Sequence, residues 1–396
     1  MGLDGTWPWR VARMLVVVLG VAVVADAGLR RSRGVSSRRA AFAQVALAAI
    51  TLPAAGTIAI SYMSRAGPSA RSIGGFVATA GAIALYVEGV RTLIHHTHGW
   101  RRWSMAPIGL IGAFVGISTI FPAVYATNVP RPQLGSARPS DFAIDYVDVA
   151  FDTDDLVSLS GWYVPSTNGA AVVLVHGASS TRTSALEQAV VLATHGYGVL
   201  AFDARGHGLS GGRAMEFGWY GERDIAAAVT YLRTRPDVDR RRIGVLGMSM
   251  GGESAIGALA ADPRLAAAVA EGATNRVYGD KSWLADEYGL RGRIQLGIEW
   301  MTYQLTNALT EAKPPQALAD SLRAAAPRPA LLIAAGNVAD ERIVGERLRA
   351  ASPGNVRLWV AEGADHTGGL DVQPEEWTRQ VTQFFDSTLL EQPPAP

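Results

Sequence analysis

Ser249 stands in Gly247-Met248-Ser249-Met250-Gly251, directly after the apolar run Ile243–Leu246. A serine hydroxyl attacks carbon only when a neighbouring base takes its proton, and that base must come from elsewhere in the chain. The chain has seven histidines. His95, His96 and His98 fall in an apolar N-terminal region with no carboxylate nearby to complete a metal site. His195 closes an expected helix, and His176 and His207 lie in glycine turns. His366 stands in "GADHTGG", after the apolar run "VRLWVAEG", late in the chain where a base following its nucleophile belongs. The preceding apolar run ends "ALLIAAGNVADE", offering Asp340 and Glu341 as the acid that fixes the imidazole tautomer and stabilises the imidazolium. Asp340 is the first choice, because a short side chain suits a tight turn, with Glu341 as the alternative. Such a set supports attack on the acyl carbon of an ester, thioester or amide.

These residues need rigid elements to hold them. "AIDYVDVAF" and "VSLSGWYV" alternate apolar and polar residues around "DTDD", the pattern of a hairpin. "AVVLVH", "GVLAFD", "RIGVLGMS", "AAAVAEG", "ALLIAAG" and "VRLWVAEG" then alternate with helical stretches. That order predicts an α/β fold: a mostly parallel sheet with helices on both faces. Reactive groups in such sheets gather at the carboxyl ends of strands, and Ser249, Asp340, Glu341 and His366 all fall there. The glycines flanking Ser249 permit a tight strand-to-helix turn, and the helix start behind it offers free N–H groups.

From about Ala143 to Leu390 the sequence resembles the α/β-hydrolase family. "VHGAS" is similar to the family's His-Gly oxyanion motif, "FDARGHGLSGG" to its Asp-x-Arg-Gly-x-Gly-x-Ser turn, and "GMSMGG" to its nucleophile elbow. The resemblance implies that the backbone N–H groups of Ala178 and Met250 form the oxyanion hole, and that Asp203, Arg205 and His207 brace the neighbouring turn. It also implies a small helical cap at about 275–315, whose Trp283, Tyr288, Trp300, Met301 and Tyr303 either line an acyl pocket or fill core. In one respect the sequence departs from the family: its usual acid position is occupied here by Ala339. The expected activity is that of a carboxylesterase-like serine hydrolase, with peptidase, aminopeptidase-like or thioesterase action as alternatives and a non-catalytic binding domain as another class. No cofactor or metal is expected, and the substrate is a small-molecule or lipid-like acyl compound.

The first 129 residues have a different texture. Val11–Leu29, Ala40–Tyr62, Ile73–Ile94 and Ala106–Thr127 each approach the roughly 20 apolar residues needed to cross a bilayer. Trp7, Trp9, Trp100 and Trp103 flank these stretches as an interfacial belt would. Gly112 and Gly116 suit close helix packing. The expected organisation is an all-α transmembrane domain over 1–129, a linker over 130–140 reading "PRPQLGSARP", and a catalytic domain over 141–396. With four spans, eight arginines fall in the loops on one side and six on the other. The arginine-rich side belongs in the cytoplasm, which places the catalytic domain on the extracytoplasmic side of the cell membrane. Lys+Arg 36 against Asp+Glu 35 argues against a nucleic-acid partner. With no cysteine, disulfides and thiolate metal sites are excluded.

Overall fold

The computed structural model describes residues 30, 37–99 and 101–391; the expected first span Val11–Leu29 and Trp7, Trp9 and Trp100 lie outside them. The chain packs into two units: residues up to Pro130 together with Gly297–Glu311, and Arg131–Leu296 together with Ala312–Pro396. Gly297–Glu311, expected in the cap of the catalytic domain, therefore belongs with the N-terminal helices.

The first unit holds α1 (Arg38–Ala66), α2 (Ala70–His95) and α3 (Arg101–Asn128). Among the described residues three helical stretches are long and apolar enough to cross a membrane: α1, α2 and Gly109–Asn128 within α3. Ser69 starts α2, its Oγ accepting from Ser72 N at 3.2 Å while Ser72 Oγ accepts from Ser69 N at 2.8 Å. Small residues set the helix spacing. A Cβ on Gly75 would lie 2.9 Å from Ala59 Cα, and one on Gly89 would lie 2.8 Å from Val45 Cγ2. Of the two glycines singled out in sequence, Gly116 approaches the Ala49 carbonyl, whereas Gly112 faces open space.

In the second unit the strands are β1 (Val147–Asp152), β2 (Ser158–Val164), β3 (Ala171–Val175), β4 (Gly198–Phe202), β5 (Ile243–Met248), β6 (Ala267–Glu271), β7 (Ala330–Ala335) and β8 (Val356–Ala361). They form one 8-stranded sheet in the order β1-β2-β4-β3-β5-β6-β7-β8. The expected hairpin pairs Val147 with Tyr163 and Asp152 with Ser158. β2 runs antiparallel to β4, and every later pairing is parallel. β3, β4, β5, β6 and β7 are buried along their whole length. That is the environment their unbroken apolar runs require.

Helices cover both faces. The following ones close the account: α4 (Leu186–Thr194), α5 (Gly221–Leu232), α6 (Met250–Ala261), α7 (Trp283–Leu309), α8 (Leu318–Ala325), α9 (Ala339–Ala351), α10 (Gly369–Val372) and α11 (Pro374–Phe385). α5, α6 and α8 bury Ile225, Ile256 and Leu322 on one side; α4 and α11 bury Leu192, Trp377 and Phe385 on the other. Burying each such side chain is worth about 1.5–3 kcal/mol.

The β5–α6 turn is one of the tight points of the fold. A Cβ on Gly247 would stand 2.1 Å from Gly251 O, and one on Gly251 would stand 2.4 Å from Val175 O. Both obstacles are backbone and cannot rotate away. Gly251→Ala is therefore expected to destabilise the protein by about 1–3 kcal/mol, the usual cost of overpacking, and to lower Tm by at least about 2 °C. Gly354→Ala, with nothing within 4 Å, should shift Tm little. Thermal melting of the two variants beside wild type checks this.

Candidate active site

Ser249 links β5 to α6 with φ 54° and ψ −122°. A non-glycine residue at positive φ is strained, and such strain collects at functional sites. The conformation is held from outside: Ser249 N donates to Glu271 O at 2.7 Å, and Glu253 N donates to Ser249 O at 3.0 Å. Gly177 lies so near that a Cβ on it would come 3.3 Å from Ser249 Cβ.

The loop after β8 delivers His366. Its Nε2 stands 2.8 Å from Ser249 Oγ and its Nδ1 stands 2.6 Å from Glu341 Oε1. With the ring neutral, the carboxylate retains the proton on Nδ1 and leaves Nε2 as acceptor for the serine proton. Glu341 is buried, and its other oxygen accepts from Ala335 N at 2.8 Å. The hydrogen bond to Glu341 raises the His366 pKa above that of a free imidazole, against the opposing effect of burial.

The two acids change rank. Asp340, the first choice from sequence, is exposed and accepts from Tyr288 OH at 2.9 Å; the structure does not bring it to His366. The reason is where the helix starts. α9 begins at Ala339, so both acids lie in its first turn and successive side chains point about 100° apart. That of Glu341 turns inward toward the end of β7, and its longer stem spans the gap. Tyr288, half-buried against the core, and Trp283, buried within it, are packing residues.

Ala178 lines a cavity of about 490 Å3 together with Ser249 and His366. Met250 opens α6, where backbone N–H groups have no intrahelical partner. The turn after β4 is braced as the motif implied. Asp203 accepts from Arg182 N at 2.9 Å and Leu209 N at 3.0 Å. Arg205 pairs with Asp155 and Asp224 and lies over the Tyr220 ring. Burial lowers the His207 pKa to about 3 and that of His176 to about 4. His176 Nε2 accepts from Ala204 N at 3.0 Å, so its Nδ1 donates to Gly177 O at 2.7 Å, steadying the oxyanion-motif loop.

Sequence reasoning missed Glu271. Buried at the end of β6, it accepts from Trp377 Nε1 at 2.8 Å and Gly369 N at 2.9 Å, tying the His366 loop to the strand beside Ser249. Its signal was a lone acid closing the apolar run "AAAVAEG".

This fold and this arrangement make the second unit an α/β-hydrolase domain. Residues 166–310 match the family described as serine aminopeptidase, S33. An esterase of Pyrococcus furiosus of known structure is 30% identical with a TM-score of 0.52, the match covering 67% of this chain and 99% of that one. An uncharacterized protein of Mycobacterium tuberculosis is 37% identical over 131 residues, 32% of this chain and 44% of that protein. A thiohydrolase of Aspergillus aculeatus is 36% identical over 124 residues, 30% of this chain and 39% of its own. The chain thus spans less than half the length of these curated relatives.

Because Glu341 raises the His366 pKa, the acidic limb of kcat/KM against pH should have its midpoint above the free-imidazole value of about 6.5. Glu341→Gln should move that midpoint down and cost several powers of ten in kcat, while Asp340→Asn should leave the midpoint in place and cost less than about threefold. A pH–rate series on the three proteins measures both. The reverse ranking would return the acid role to Asp340.

Proposed function

We propose that the protein is a membrane-anchored serine hydrolase that cleaves a carboxylic ester through an acyl-enzyme. The observation that carries this reading is the unbroken hydrogen-bond path from Ser249 Oγ through His366 to Glu341. In the first step Ser249 Oγ bonds to the acyl carbon while its proton passes to His366 Nε2. The oxyanion faces the N–H groups of Ala178 and Met250. Collapse breaks the bond to the alcohol oxygen, which takes the proton from Nε2. Water, deprotonated by the same nitrogen, then releases the acid and restores Ser249. Glu341 holds the imidazolium through its hydrogen bond to Nδ1. A thioester is the second reading, favoured by the likeness to a thiohydrolase.

Ser249→Ala should reduce hydrolysis of p-nitrophenyl butyrate by at least about a thousandfold, and His366→Ala by nearly as much, since the residues act as a unit. A fluorophosphonate probe should label wild type and not Ser249→Ala. Labelling that persists in the variant would remove Ser249 as nucleophile.

Membrane anchoring rests on the three apolar helices. Their exposed Ile60, Val77, Leu110 and Phe114 find an apolar environment only in lipid or in another protein. With a fourth span over Val11–Leu29, the arginine bias sets the hydrolase outside the cytoplasm. An alkaline phosphatase fusion after Ala137 should be active and a green fluorescent protein fusion there dark; the opposite pair of results reverses the orientation.

A further inference from the structure

Five arginines from four segments of the hydrolase unit gather at the end of the sheet opposite Ser249. Arg233 follows α5, Arg240 and Arg241 precede β5, Arg264 precedes β6 and Arg328 precedes β7. All five line one groove of about 530 Å3 at the amino ends of these strands, whereas Ser249, Glu341 and His366 follow carboxyl ends. Among the described residues no Asp or Glu lines it. Salt bridges cancel part of the charge: Arg241 pairs with Asp239 at 3.1 Å and Arg264 with Asp262 at 2.6 Å. Among the described residues no carboxylate pairs with the other three. Arg240 Nε donates to Arg233 O at 3.1 Å, and Arg328 Nη1 donates to Asp262 O at 2.7 Å and Leu265 O at 3.2 Å. A carbonyl fixes a guanidinium in place without neutralising it.

Capping explains part of this arrangement, since Arg233 O closes α5 and a cation is favoured at a helix C-terminus. It does not explain Arg328, which is half-buried and uses one nitrogen of a five-donor fork. Burial lowers the Arg328 pKa against the pull of Asp262. Like charges brought together repel, and here three of five lack a counter-charge. We propose that the groove binds a phosphate group, carried by a small soluble compound or by the headgroup of an anionic phospholipid. A phosphate offers oxygens in a tetrahedral array and up to two charges, so guanidinium groups arriving from different segments can share it. A carboxylate has two coplanar oxygens and one charge. The groove volume falls within the roughly 300–1,000 Å3 of small-ligand sites, leaving room for the moiety that bears the phosphate. Nothing in this depends on the chemistry at Ser249.

Calorimetric titration of the full-length protein in a neutral detergent, at constant ionic strength, tests it. The probes are inorganic phosphate, glycerol 3-phosphate, dihexanoyl phosphatidic acid and acetate. At least one phosphate should bind with Kd below about 1 mM, and acetate at least about tenfold more weakly. Phosphatidic acid binding at least about tenfold tighter than glycerol 3-phosphate assigns the source to lipid; a smaller difference assigns it to a soluble phosphate. Arg240→Gln/Arg241→Gln, both exposed, should weaken binding at least about fivefold with Tm unchanged. Arg349→Gln/Arg357→Gln removes the same charge from exposed positions outside the groove and should leave the affinity in place. No phosphate with Kd below about 1 mM, acetate within about tenfold of phosphate, or the two double variants losing affinity equally or not at all overturns the proposal.

Discussion

Everything at the site depends on how closely three backbones approach one another around Ser249. Gly251 presses on the Val175 and His176 carbonyls, and Gly247 presses on Gly251. No side chain fits between them, so the ends of β3 and β5 meet at contact distance. Gly252 makes the same approach to Glu271 O on β6. The positive φ of Ser249 follows from this crowding: the chain must reverse within one residue to enter α6. A cradle assembled from three strand ends is stiff because each strand is buried and paired on both edges. The energy stored in one unfavourable dihedral, about 1–3 kcal/mol, is small beside the burial that surrounds it.

A second set of constraints is polar. Removing a carboxylate from water is costly unless hydrogen bonds replace the solvent, and the buried acids near the site are all supplied with donors. Glu341 takes Ala335 N and the His366 ring; Glu271 takes Gly369 N and the Trp377 indole; Glu253 takes Asn275 N at 2.8 Å. Glu271 joins the end of β6 to the His366 loop and α11, Glu341 joins the start of α9 to the end of β7 and the His366 loop, and Glu253 joins α6 to the chain after β6. Burial pushes Glu253 up to about 7 against the opposing hydrogen bonds from Asn275 N and Thr274 N. The loops around Ser249 are thus fastened by acids as well as by apolar packing such as that of Ala364 and Leu370.

How much of this was legible in sequence follows from the range of each signal. The parallel strands declared themselves through unbroken runs such as Ala171–Val175, and the elbow through two glycines and a serine. The acid did not, because choosing between Asp340 and Glu341 depends on the phase at which α9 begins, and one residue of phase turns a side chain by about 100°. Glu271 escaped because its partners lie 98 and 106 residues away. The cap aromatics illustrate the limit of composition: Trp283 joins the core, and the cavity wall is built instead from Thr183, Glu187 and Gln188 on the other side of the sheet order.

Gly297–Glu311 has a bearing on how the molecule can be taken apart. The chain passes from the first unit to the second after Pro130, returns at Gly297 and leaves again after Glu311. The two units are therefore laced by three passages of chain, where a tail-anchored enzyme has a single tether. A cut anywhere between residues 130 and 140 would sever one passage and leave two. A gene fragment starting at Arg131 would still encode the stretch that packs with the helices, now bereft of them, with Trp300 and Met301 among its apolar side chains. Excising the hydrolase in working form thus means replacing that excursion with a short loop as well as shortening the N-terminus.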